Sequence, residues 1–333
     1  MTPRIEVASA TAAVVTDLGR SRGPGFGLPV NGALDQYSAR VANILVANAE
    51  TSPLIELTAF DFSFSAATDT LIAVTGAEML VQIDNVQRPM WEPIPVRAGE
   101  LVALSGMTVG LRTYIAFFGG LDVPFLLGSA APDTVIGFGV SLARGSSVIL
   151  SRSVQAPINP YFGVSLFNFG IDKPYFDETV FVDVTDGPDI DQFAGTAERL
   201  FAKPFTVTPQ SNHIGLRMLG ELPVRTRSDE LISRGVPVGA VEVPPGDELL
   251  VLHRGRGVTA GYPVLAVVTS TSLDALGQAR PGQKVQFRQV DVHRASDNAR
   301  AWRVRLDSLR ERVANVYEAI AEGELAQHAR ALI

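Results

Sequence analysis

The sequence predicts a mainly β chain with enough residues for two cores, a few short helices and one long helix at its C-terminal end. Three observations carry that reading. The 333 residues contain 30 glycines and 21 prolines spread along the whole length, so turns recur every several residues. Between the turns stand short runs of β-branched and aromatic residues with alternating polarity. After Ser296 the period changes over a long stretch, to apolar residues three and four apart.

Composition narrows the function. Hydrophobic residues are 46% and charged residues 19%, ample for buried cores and unlike a disordered chain. The net charge of -7 argues against a nucleic-acid surface, which needs a concentrated basic patch. There is no cysteine, so disulfides, thiolate metal sites and a cysteine nucleophile are excluded. The four histidines, His213, His253, His293 and His328, lie far apart without a carboxylate ligand pattern, and no metal is expected. No apolar run has membrane-spanning length and the first residues do not read as a signal peptide, so a soluble cytoplasmic protein is expected. Neither a Walker A sequence nor a Gly-x-Ser-x-Gly elbow is present.

In chain order, Ile5 to Val7 and Ala12 to Val15 read as strands. Thr16 to Asp35 holds five glycines and reads as a loop, with Arg20 and Arg22 available to an anion. Asp35 suits the N-cap of a helix from Gln36 to about Ala47. From Pro53 to Leu150 the pattern is all strand: Leu54 to Thr58, Phe60-Phe62-Phe64, and runs starting at Thr70, Met79, Glu100 and Arg112. Their turns, at Thr75-Gly76, Asp84-Asn85 and Ala98-Gly99, suggest a closed or nearly closed barrel. Residues 1–154 are therefore expected to form the first domain, 155–178 a Pro- and Asn-rich linker, 179–292 the second domain and 293–333 an amphipathic helix. In the second domain, strands are expected at Thr179 to Val184, Phe205 to Thr208, Val241 to Val243, Glu248 to Leu252, Val264 to Thr271 and Lys284 to Gln289, with a helix from Pro188 or Asp191 to Phe201. The tail stripe of Trp302, Leu306, Leu309, Val313, Val316, Tyr317 and Ile320 must be buried against the chain's own domain or a partner.

The richest stretch in polar chemistry is Phe205 to Arg217, FTVTPQSNHIGLR. Pro209 stops the strand, and Gln210, Ser211, Asn212 and His213 follow at its end, where a sheet can hold them against a ligand. Ser211 and Asn212 are equally suited to forming a turn with nearby backbone. Arg217 offers a fixed cation. With Thr259, Tyr262 and Arg20 these residues compose a neutral polar pocket edged by arginine, suited to a ureido, lactam or carboxylated amide. His213 or Tyr262 could act as acid or base, and Tyr262 reads equally as a barrel-wall tyrosine bonded locally.

These motifs resemble the biotin-dependent carboxyltransferase-like family, which includes allophanate hydrolase subunit 2, the C-type subunit of 5-oxoprolinase and the kinase-inhibitor antagonist of sporulating bacteria. The resemblance is carried by PQSN with Gly215 and Arg217, by Ile232 to Gly246 (ISRGVPVGAVEVPPG) and by Thr259 to Pro263. The segment Asp17 to Asn48 and the step Gly119 to Ser129 (GGLDVPFLLGS) extend it over roughly residues 10 to 290. It implies two cyclophilin-like β-barrel subdomains, consistent with a weak echo between Gly27 to Asp35 and Gly235 to Glu242. It also implies a companion resembling allophanate hydrolase subunit 1, a third lactam-hydrolysing subunit in many complexes, and ATP used by the complex. Any biotin arrives on another chain, since no acceptor Lys stands in a Met-Lys context here.

Departures from the family pattern cluster at the pocket. His213 stands where Arg usually follows PQSN, and Leu216 where Tyr precedes Arg217. Gly255 to Pro263 lacks a carboxylate, a carboxamide and a hydroxyl of that motif, and Gly128 to Pro132 lacks an arginine. Three activities follow from the resemblance: a subunit of an ATP-dependent 5-oxoprolinase that binds the lactam, a carboxyltransferase module of a urea-carboxylase-like system, or a regulatory subunit without turnover.

Overall fold

The structure is a computed structural model and describes residues 2–153, 168–227, 230–320 and 324–330. The chain divides into two compact units that do not follow chain order. Unit 1 comprises residues 1–19, 36–174 and 303–333, and unit 2 comprises residues 20–35 and 175–302. Residues 155–167 of the expected linker lie outside the described residues; 168–178 carry no helix or strand.

Unit 1 holds two six-stranded sheets. In one, Ser147–Ile149, Arg4–Ala10, Phe62–Ala66, Leu101–Ser105, Leu80–Ile83 and Val86–Arg88 are neighbours in that order. In the other the order is Ser141–Leu142, Ala13–Thr16, Leu54–Thr58, Arg112–Phe117, Thr70–Gly76 and Pro93–Val96. Their inward residues, among them Val7, Phe64, Ile55, Val74, Val102 and Phe117, share one core. The alternation that predicted these strands is the pleat itself, with every second side chain turned inward. The turn at Asp84-Asn85 has both residues at positive φ, 47° and 68°, as a tight two-residue hairpin demands. Pro93 and Pro95 are accommodated because their strand is an edge of its sheet.

Two helices close unit 1 through the C-terminal tail. Helix α1 (Gln36–Leu45) is buried along most of its length, Tyr37, Val41, Ile44 and Leu45 among the buried residues. Further along come α2 (Arg199–Ala202), α3 (Ser272–Gly277), α4 (Val292–Ile320) and α5 (Glu324–Arg330). From Arg303 onward α4 belongs to unit 1, and Leu306, Leu309, Val313 and Tyr317 are buried. The Tyr317 hydroxyl donates to the Leu45 carbonyl of α1 at 2.6 Å. Four residues of the tail stripe are thus buried within the chain's own unit. Trp302 and Val316 are half-buried, and the side chain of Ile320 lies outside the described residues.

Unit 2 is a closed barrel of seven strands: Thr179–Asp186, Val264–Val268, Ala240–Glu242, Glu248–Leu252, Gly215–Leu219, Phe205–Val207 and Lys284–Gln289. Closure comes from the parallel pairing of Thr179–Asp186 with Lys284–Gln289. Val182, Phe205, Met218, Val241, Val251, Leu265 and Phe287 fill its core. The single helix expected to reach Phe201 is instead a 3-10 turn at Ile190–Phe193 and the separate α2, because Gly195 between them takes a φ of 81°. Among the described residues no helix is long and apolar enough to cross a membrane.

Residues 20–35 pack into unit 2. The Asn31 amide donates to Arg254 O at 2.8 Å, and Gln278 donates through its side chain to the buried Asp35 carboxylate at 2.7 Å. A Cβ at Gly277 would come within 2.6 Å of the Leu34 backbone, so only glycine permits that approach.

Candidate functional site

The polar stretch after Pro209 folds as a side-chain-stapled turn. The Asn212 side-chain oxygen accepts from the Ile214 amide at 2.8 Å, and the Asn212 amide donates to Gly215 O at 3.1 Å. Ser211 donates through its hydroxyl to Arg217 O at 3.2 Å and accepts from the Arg217 amide at 3.0 Å. Those contacts are the Asx and Ser turn chemistry that competes with ligand binding. Ser211 and Asn212 shape the site's edge, while Gln210 stays exposed. Gly215–Leu219 continues as a barrel strand rather than a loop, which turns Arg217 outward into an ion pair with Glu248 at 3.0 Å.

His213 is half-buried. Its carbonyl accepts from the Gly255 amide at 3.0 Å, and a Cβ at Gly255 would meet the His213 ring at 2.3 Å and the Asn31 side-chain oxygen at 3.2 Å. The glycine-rich run is therefore a docking surface for His213 and Asn31. Arg20, in the same unit, is buried to 1% exposure, its backbone amide donating to Val30 O at 2.8 Å.

Thr259 lies in a two-stranded ladder, Arg234–Gly235 with Thr259–Ala260, where it pairs with Gly235. Tyr262 follows, 42% exposed. The structure brings Ser211, Asn212 and Arg217 together, and separately joins His213 to the Gly255 turn; Thr259 and Tyr262 belong to the ladder.

Beside the ladder stand charged groups that the sequence motifs do not include. Glu242, in a barrel strand, is 1% exposed, and its Oε1 finds no hydrogen-bond partner among the described residues. Burial pushes its carboxyl up from 4.5 to about 7, and the positive charge of Arg234 opposes that rise. Arg234 is itself ion-paired with the buried Asp189, which also accepts from the Val264 amide at 2.7 Å. Arg256 is 6% exposed and donates through Nε and Nη2 to Val236 O at 3.0 and 2.7 Å. Its Nη1 has no partner among the described residues, and burial lowers its pKa. The available sequence signal was an acid flanked by valines in a strand too apolar to be a solvated face.

Residues 26–289 match the carboxyltransferase domain, subdomain A and B. The chain belongs to that family. It is 30% identical over 283 residues to the C-type subunit of 5-oxoprolinase from Escherichia coli (strain K12), covering 84% of this chain and 89% of the relative. It is 31% identical over 286 residues to urea amidolyase of Saccharomyces cerevisiae, covering 79% of this chain but 15% of that protein. Among solved structures, urea amidolyase of K. lactis superposes with a TM-score of 0.81 at 27% identity, over 93% of this chain and 20% of that one. The mainly β carboxyltransferase-type fold is thus shared with a domain of a far larger protein.

Proposed function

We propose that this chain is the C-type subunit of an ATP-dependent 5-oxoprolinase complex, in which it binds the lactam together with a companion resembling allophanate hydrolase subunit 1. The observation that carries the reading is the match to the C-type subunit of 5-oxoprolinase over 89% of that protein's length. A nearly full-length match to a subunit supports a subunit's role more directly than a match to 15% of a multidomain protein. Within this reading Gln210, His213, Thr259 and Tyr262 meet the ligand, Ser211 and Asn212 hold the turn that presents them, and Arg20 and Arg217 contribute positive charge.

ATP is assigned to the complex. The glycine run from Gly255 to Gly261 contains the ladder strand Thr259–Ala260 and leads into the strand Val264–Val268, so it offers no helix N-terminus to a nucleotide's phosphates. The superposition on urea amidolyase favours a second reading, a carboxyltransferase module that receives its carboxyl group from biotin carried by another chain.

The test is ATP-dependent release of glutamate from 5-oxoproline by the co-expressed subunits, with each subunit omitted in turn. Omission of this chain is expected to abolish turnover. Wild type should restore it fully, and Asn212→Ala, which frees the turn, should restore less than about a tenth. A stable complex that never releases glutamate contradicts the proposal and favours the carboxyltransferase reading.

A further inference from the structure

Unit 2 buries two charged side chains whose ends lack partners among the described residues, Glu242 at Oε1 and Arg256 at Nη1. Each is more than nine-tenths buried, at 1% and 6% exposure. A charge kept at such depth without its full set of hydrogen bonds is costly, and a bound ligand is one way the missing partner is supplied.

Both groups belong to one local framework. Register sets Glu242 opposite Leu250 on one side and Val264 on the other, so its side chain leaves the barrel wall on the same face as theirs. On that face Val264 packs with Val236, Ala240 and Leu252 in a small cluster apart from the barrel core, with Leu250 and Ala260 against it. Arg256 is bonded to the carbonyl of Val236, a member of that cluster. Asp189 ties the remaining corner by holding both Arg234 and the Val264 amide. The ladder Arg234–Gly235 with Thr259–Ala260, which supplies Ala260, is joined by two register pairs and continues at Val236 N to Val258 O, 3.1 Å.

We propose that Glu242 and Arg256 are the two poles of an internal site for a small amide or ureide that also carries a carboxylate, entered when the ladder lifts. This rests on the 5-oxoprolinase reading and names the side chains that would hold the lactam. The ligand N–H donates to the Glu242 carboxylate, and the ligand carboxylate accepts from Arg256 Nη1, so each unmet group gains the complement it lacks. Thr259 and Tyr262 then act from the cover of the site.

Ionised Glu242 is the stronger acceptor, and burial pushes its carboxyl up to about 7, so affinity rises as pH passes upward through that value. The charged groups on the elements around it are Arg234, Asp189 behind Arg234, Arg256, and on the paired strand Glu248, which is ion-paired with Arg217. His253, which follows Leu252 at the end of the neighbouring strand, already uses both ring nitrogens, with Arg254 N at 2.9 Å and Leu273 O at 3.3 Å.

The experiment is equilibrium dialysis of labelled 5-oxoproline against the assembled complex without nucleotide, between about pH 6 and 8.5, beside the turnover assay. Wild type should bind several-fold more tightly at the upper end of that range than at the lower. Near-isosteric Glu242→Gln should lose that pH dependence, and Arg256→Lys should weaken binding at least about tenfold with the complex still assembled. Turnover by wild type with both variants binding within about twofold of it, and with its pH dependence, overturns this site and leaves the subunit reading standing. Neither binding nor turnover by wild type overturns the subunit reading and this site with it.

Discussion

Two glutamates largely withdrawn from solvent are treated in opposite ways. In unit 1, Glu50 is surrounded by cations: Arg40, Arg303 and Arg310 all bond its carboxylate, and Asp307 braces Arg303 at 2.8 Å and Arg310 at 3.0 Å. In unit 2, the cation whose charge acts on Glu242 is Arg234, and that cation is already ion-paired with Asp189. The first acid fastens a helix; the second is held in an environment that opposes its charge. A saturated carboxylate belongs to architecture, because removing it strands several cations, whereas a starved one can gain from whatever arrives.

The contrast can be broken from either side. The largest effect is expected at Glu50→Ala, which leaves three partly buried arginines uncompensated and detaches α4 from the residues after α1. Loss of about 3 kcal/mol or more is expected in urea unfolding. An unchanged midpoint would mean the cluster is ornamental. The smallest effect is expected at Arg217→Ala, since the pair with Glu248 is nearly half exposed on the arginine side. A stability change below about 1 kcal/mol is expected there, so any larger fall in 5-oxoproline turnover would report a ligand contact rather than a weakened fold.

Much of the architecture was legible because pleat and hairpin chemistry are local. Leu54–Thr58, Glu248–Leu252 and Lys284–Gln289 fall on the runs whose alternation marked them. What alternation could not convey was partnership between distant segments. Residues 20–35 join unit 2 and residues 303–333 join unit 1, although the chain order suggested otherwise. Their cues are a glycine at 277 that admits the Leu34 backbone and a tyrosine at 317 that reaches Leu45 O, and neither is readable without the partner. At the candidate site, attention to polar motifs selected Asn212 and Ser211, whose hydrogen bonds serve the turn. Glu242 is not legible as a site because one acid in Val-Glu-Val looks like the polar face of an edge strand, yet its strand lies between two others in a closed barrel. Depth, and therefore the rise of its pKa, is a property of the closed sheet.

The most direct test of the starved acid is the unfolding free energy of wild type and Glu242→Gln across about pH 4 to 8.5. An acid whose folded pKa is raised from 4.5 to about 7 keeps its proton in the folded state after the unfolded chain has lost it. Stability therefore falls as pH rises between those values, by on the order of 3 kcal/mol, and the effect is complete above the folded pKa. Glu242→Gln should flatten that decline and be the more stable protein at the alkaline end. Parallel curves for the two proteins would show that Glu242 titrates like a solvated carboxylate, and that unit 2 holds no starved acid at this position.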